Sequence, residues 1–117
     1  MPRKDGFQEG VRLPEAVREP FLRGRARSLR AGDALFVEGD VVEQVFFLDE
    51  GRIRLTKRVR SMTRTLTLLR GGALVGEGAL AGELRRQATA TALTDAVVFP
   101  FDPDEFRQLL LTYPVLA

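Results

Sequence analysis

The residues best suited to chemistry lie together in Gly76-Glu77-Gly78-Ala79-Leu80-Ala81-Gly82-Glu83-Leu84-Arg85-Arg86-Gln87-Ala88-Thr89-Ala90. The pattern predicts a strand ending at Val75, then Gly76, a helical turn, a loop, and Arg86 entering the next strand. Glycines at 76 and 78 let backbone approach a ligand closely, and the free N–H groups of a turn favour an anion. Arg86 adds a bidentate, permanently charged partner for a phosphate. Glu77 is misplaced beside an anion unless it accepts hydrogen bonds from hydroxyls. A sugar phosphate supplies both needs. Each residue also has a purely structural reading. Glu77 could simply sit at a helix N-terminus, where a carboxylate is stabilised by ~0.3–1 kcal/mol. Arg86 could pair with Glu77 or Glu83 on the surface, and the glycines could only make turns. Spacing alone leaves both readings open.

The elements that must position this stretch are short and mostly extended. β-like runs at Ala26–Leu29, Ala34–Val37, Val45–Leu48, Ile53–Val59, Thr65–Leu69, Ala88–Leu93 and Ala96–Phe101 are separated by turn residues such as Ala31-Gly32-Asp33, Glu38-Gly39-Asp40, Asp49-Glu50-Gly51 and Gly71-Gly72. Ile53, Leu55 and Val59 alternate with Arg52, Arg54 and Arg58, while Ala88, Ala90 and Ala92 alternate with Thr89 and Thr91. Strands about every ten residues with one apolar face indicate an all-β sandwich or jelly roll, and we expect a double-stranded β-helix jelly roll with short flanking helices. Met1 to Arg12 reads as a lead-in and residues 13–117 as one domain. Leu13, Val17 and Phe21 mark a short N-terminal helix that Pro20 shortens or kinks. Asp102-Pro103-Asp104-Glu105 signals a helix start, with Phe106, Leu109 and Leu110 as its buried stripe. Tyr113 to Ala117 reads as the opening of another helix, as expected of a piece of something longer.

Composition removes most catalytic vocabularies. The 117 residues include no Cys, His or Trp. Disulfide frameworks, thiolate nucleophiles, cysteine-held zinc or iron–sulfur centres, His-held haem and Ser-His-Asp catalysis all go. We therefore expect no catalytic residue and no metal site. The length suits one domain, burying about 65% of its unfolded surface. A formal net charge of +2 does not by itself imply polyanion binding. Sixteen of the eighteen basic residues are Arg, and Gly51 to Val75 holds seven basic residues with no acid. That run reads as a solvated strand face or as a contact surface for RNA polymerase or incidental nucleic acid. No apolar run approaches the ~20 residues of a membrane span, so a cytoplasmic location without membrane contact is expected.

Leu29-Arg30-Ala31-Gly32-Asp33-Ala34-Leu35-Phe36-Val37-Glu38-Gly39-Asp40 and Val45-Phe46-Phe47-Leu48-Asp49-Glu50-Gly51-Arg52-Ile53-Arg54-Leu55, with the Gly76-Glu77 to Arg86 stretch, resemble cyclic-nucleotide-binding domains. The resemblance is to the sensor domain of the cyclic AMP receptor protein/fumarate–nitrate regulator family of bacterial transcription factors, from about Leu13 to Ala117. It implies that Gly76 to Ala88 binds the phosphate of a cAMP-like cyclic nucleotide, the one cofactor-like effector expected. Glu77 would accept from the ribose 2′-hydroxyl, and Arg86 would hold the cyclic phosphate. Backbone N–H groups near Gly78, Ala79 and Ala88 would assist, and Leu55 and Leu66 would line the pocket from the inward face of their strands. Two positions depart from the family pattern. Gln87 stands where cyclic-AMP binders usually carry Ser or Thr, and Ala73 where a turn Asp is common. A Gln that crowds the phosphate predicts weak cyclic-AMP binding. The resemblance further implies a homodimer and contacts to DNA and RNA polymerase through a longer parent protein, this chain alone being monomeric or a weak dimer. The competing readings are a ligand-free domain used for dimerisation or partner contact, and a regulatory domain attached to an enzyme or channel.

Overall fold

The structure, a computed structural model, describes residues 25–112. The expected lead-in over Met1 to Arg12, the helix around Leu13 to Phe21 and the helix opening at Tyr113 to Ala117 lie outside the described residues, as does the side chain of Leu110. Within them the strands are β1 (Arg27–Leu29), β2 (Ala34–Phe36), β3 (Val45–Glu50), β4 (Arg52–Val59), β5 (Met62–Arg70), β6 (Leu74–Val75), β7 (Thr89–Ala92) and β8 (Ala96–Phe101). A 3-10 helix, Glu77–Ala81, follows β6, and α1 (Pro103–Thr112) closes the described chain. The strands form two four-stranded antiparallel sheets, ordered β1-β8-β3-β6 and β2-β7-β4-β5. This is the jelly-roll sandwich that the alternating runs and glycine turns predict.

The two sheets differ in how they are covered, and their sequences show it. Val45, Phe46, Phe47 and Leu48 of β3 are all buried, because both faces of that strand are occupied. Phe46 and Leu48 join Leu29, Ile53, Leu69, Val75, Ala90 and Val98 between the sheets. Val45 and Phe47 point the other way, into a second cluster with Leu74, Ala79, Phe99, Phe101 and Phe106. The 3-10 helix and α1 thus roof the outer face of the first sheet. A strand buried on both faces reads as a continuous apolar run instead of an alternation. β4 is covered on one face only, so Arg52 and Arg54 stay exposed while Ile53 is buried.

The helix start at Asp102-Pro103 behaves as its chemistry requires. α1 begins at Pro103, carries Asp104 and Glu105 in its first turn, and Phe106 N–H donates to Asp102 O at 3.0 Å. Phe106 is buried and Leu109 packs beside it. Arg25, preceding β1, makes a two-pronged ion pair with Glu105 and lies 5.0 Å over the Phe101 ring. This pair straps the start of the described chain to its last helix. The Arg25 partner holds the Glu105 carboxyl below the usual carboxylate range, by hydrogen bonding first and charge second.

The long hairpin β4–β5 corrects one expectation. Leu55 pairs with Thr67 but Thr56 pairs with Thr65, so the ladder slips and Leu66 is the extra residue of a bulge. Strict alternation ends there. Thr56 is buried, Val59 is exposed, and Leu66 is 51% exposed. The Thr67 hydroxyl beside the bulge is buried with no hydrogen-bond partner. The slip is also why Leu66 does not reach the inward face assigned to it by counting in twos.

Candidate functional site

The site is built where β6 leaves the first sheet. Val75 is fully buried, and the chain turns at Gly76 with φ 75° and ψ 31°, in the left-handed region that L side chains rarely adopt. Space imposes the same choice. A Cβ on Gly76 would sit 2.5 Å from Arg86 Nη1 and 3.1 Å from the Phe36 ring. The freed Gly76 carbonyl accepts hydrogen bonds from Ala79 N–H at 3.2 Å and from Arg86 Nη1 at 3.0 Å. The 3-10 helix that follows ends at Gly82, also left-handed, and Leu84-Arg85-Arg86 then runs alongside residues 39–42. Gly39 N–H donates to Arg86 O at 2.8 Å, Arg86 N–H to Asp40 O at 2.8 Å, and Val42 N–H to Leu84 O at 3.1 Å. These bonds fix the Arg86 backbone before any ligand is considered.

Arg86 is only 4% exposed. Its guanidinium donates to the carbonyls of Gly76 and Gln44 and stacks 4.0 Å from the Phe36 ring centroid. Phe36 in turn stacks on Phe46, with ring centroids 6.2 Å apart. Among the described residues no carboxylate lies within the 4.0 Å of an ion pair with Arg86. Burial pulls its pKa below the ordinary arginine value, and the more distant charges of Glu83 and Asp40 only partly oppose that. The surface ion pair with Glu77 or Glu83, one of the structural readings of Arg86, is not formed. A buried cation satisfied by carbonyl dipoles but by no anion is costly. A phosphate is the group that would lower that cost.

Arg86 forms one wall of a cleft of about 140 Å³ lined by Phe36, Leu55, Gly76, Glu77, Gly78, Glu83, Arg86, Gln87 and Ala88. Seven of the nine residues expected at the site line it. Gly76, Glu77, Gly78, Arg86, Gln87, Ala88 and Leu55 face the cleft. Ala79 does not: its side chain is buried in the second core cluster, and its N–H is used in the turn to Gly76. Leu66 does not line it either, for the reason of the bulge. Glu77 keeps exposed surface, yet the protein packed around its carboxyl removes enough water to push its pKa up. Gln87 is exposed and its amide Nε2 donates to Arg85 O at 3.3 Å. Folded onto its own backbone, it does not need to stand over a phosphate held by Arg86.

Two lining residues were not among the expected site residues. Phe36 is the surface on which the Arg86 guanidinium lies, and in sequence it is one apolar residue of a strand. Glu83 appeared only as a surface partner of Arg86, whereas its carboxylate lies inside the cleft against Gly78. No group of three or more Asp or Glu able to hold a metal occurs among the described residues.

The antiparallel jelly roll thus brings a glycine-turned 3-10 helix and a buried arginine to one cleft. Residues 26–113 match the family model described as the cyclic nucleotide-binding domain, and the chain belongs to that family. It is 29% identical over 105 residues to the cyclic AMP receptor protein of Thermus thermophilus, covering 89% of this chain and 49% of that protein. It is 34% identical over 79 residues to the cAMP-dependent protein kinase regulatory subunit of Yarrowia lipolytica, covering 68% of this chain and 20% of that subunit. The crystal structure of the Thermus thermophilus catabolite activator protein superposes with a TM-score of 0.75 at 26% identity, over 89% of this chain and 50% of that one. The chain thus spans half or less of the length of these relatives. Among the described residues, no helix is long and apolar enough to cross a membrane.

Proposed function

We propose that residues 13–117 form the effector-sensing domain of a bacterial transcription regulator and that the cleft takes a cAMP-like cyclic nucleotide. The observation that carries this reading is Arg86, a buried cation without an ion-pair partner among the described residues, lining the same small cleft as Glu77. The guanidinium suits the cyclic phosphate, with a fork of donors that already grips two carbonyls and can add phosphate oxygens. Glu77 suits a ribose hydroxyl, which donates where an anion could not. Leu55 and Phe36 offer apolar surface beside them. The backbone N–H groups of Gly78 and Ala88 are the remaining candidates for phosphate contact, since Ala79 N–H is committed to the turn.

In this reading the protein does no chemistry. Binding would shift the balance between arrangements of the cleft and whatever helix follows it, and so reach DNA-binding and RNA polymerase contacts in a cytoplasmic, homodimeric parent protein. Similarity to the receptor protein of Thermus thermophilus favours that assignment. A second reading, a regulatory domain attached to an enzyme, draws on the similarity to the Yarrowia lipolytica kinase regulatory subunit. Calorimetric titration of the full chain with cAMP, cGMP and adenosine tests the shared core of both. Saturable binding of a cyclic nucleotide with much weaker binding of adenosine is expected. Equal affinity for adenosine would remove the phosphate from the account, and no binding of any of the three would favour a ligand-free domain.

A further inference from the structure

We propose that Glu83 is a counter-charge that makes the cleft select singly charged phosphodiesters over doubly charged phosphomonoesters. The inference rests on the reading of the cleft as a nucleotide-phosphate site and adds to it the residue that sets charge selectivity. The backbone brings Glu83 back to the start of the 3-10 helix. Its N–H donates to Gly78 O at 3.0 Å, so the loop folds back over the 3-10 helix, and its carboxylate lies in the space a side chain at 78 would fill. A Cβ on Gly78 would come within 2.7 Å of the Glu83 carboxyl carbon and nearer still to one oxygen. Gly78 is not among the glycines with positive φ. Its backbone conformation is open to residues other than glycine, and what a side chain at 78 would meet is the Glu83 carboxylate, the far end of a flexible side chain.

Charge counting gives the consequence. The lining holds one guanidinium, Arg86, and two carboxylates, Glu77 and Glu83. Neither Lys57 nor Arg85 lines the cleft: Lys57 Nζ donates to Gln87 O at 3.4 Å, and Arg85 Nη1 to Gly39 O at 3.3 Å. Glu83 already acts on Arg86 through its charge. A cyclic phosphodiester brings one negative charge, which Arg86 can match. A terminal phosphomonoester brings a second, for which the lining offers no cation and two repelling carboxylates.

The test uses the full chain as wild type, Glu83→Gln and Gly78→Ala, each titrated with cAMP and with 5′-AMP at low salt. Removing one partly screened charge is expected to strengthen cAMP binding about fivefold and 5′-AMP binding by about the square of that, so the preference for the cyclic ligand shrinks about fivefold. Gly78→Ala keeps the charge but evicts the carboxylate from its seat, and should shift both affinities the same way by less. If the wild type binds cAMP and neither substitution changes the ratio, the inference is overturned while the cyclic-nucleotide reading stands. If no variant binds cAMP although circular dichroism shows each folded, the cyclic-nucleotide reading falls and this inference with it.

Discussion

Replacing Arg86 by Met separates a ligand-holding arginine from a structural one. The substitution keeps an unbranched apolar stem in a site that is 4% exposed, and a thioether can take the guanidinium's place against the Phe36 ring. The Gln44 carbonyl loses its donor, while the Gly76 carbonyl keeps the Ala79 N–H at 3.2 Å. At ~1–3 kcal/mol for a buried acceptor left bare, that costs about 1–3 kcal/mol. Against it stands the relief of a buried charge with no ion-pair partner among the described residues, an effective penalty of several kcal/mol. The loss of the stacked cation, about 1–2 kcal/mol, is largely replaced by the sulfur–aromatic contact. The terms offset, and the net change in unfolding free energy should lie within about 2 kcal/mol of zero. Ligand affinity has no such compensation: losing the cation opposite a phosphate should cost about 2–5 kcal/mol, roughly thirty- to several-thousand-fold in Kd. Urea unfolding and calorimetry on the same preparation read both quantities. A loss of stability above about 4 kcal/mol with cAMP affinity intact would refute the reasoning and make Arg86 a core residue.

Gly76→Ala should be worse for folding than Arg86→Met, because it forces a left-handed φ on an L residue and drives a Cβ to 2.5 Å from Arg86 Nη1. A loss of about 1–3 kcal/mol in urea unfolding, with weaker ligand binding, is expected. Glu105→Gln tests the strap from Arg25 to α1. The folded-state pKa of Glu105 is depressed, so the pair's stabilisation is present above the unfolded value near 4.3 and is lost as pH falls through the lower folded value. The gap in Tm between wild type and Glu105→Gln should be constant near neutral pH and close below pH 4. A gap that persists unchanged in acid would contradict the assignment.

The architecture was legible because its cues are local. Alternation, glycine turns and the Asp102-Pro103 helix start each act over a few residues, and the observed strands lie where those cues fall. The unbroken Val45 to Leu48 run carried less information, since only tertiary structure shows that β3 is covered on both faces. The bulge at Leu66 was invisible to counting because register belongs to a pair of strands, not to either one. In the candidate site, Gly76, Glu77 and Arg86 stood out by residue type and spacing. Phe36 did not, since its contact with Arg86 spans fifty positions and looks like any core aromatic. Glu83 was visible as a charge, but its seat over Gly78 depends on how tightly the loop folds back.

The central claim is that Arg86 receives the ligand's phosphate, and the Arg86 side-chain N–H signals in a nitrogen–proton NMR spectrum test it most directly. On titration with cAMP these signals should shift and their exchange with water should slow, in step with the calorimetric saturation curve, while the Arg25 side-chain signals stay in place. Saturation by cAMP with the Arg86 signals unmoved would contradict the claim and put the phosphate elsewhere.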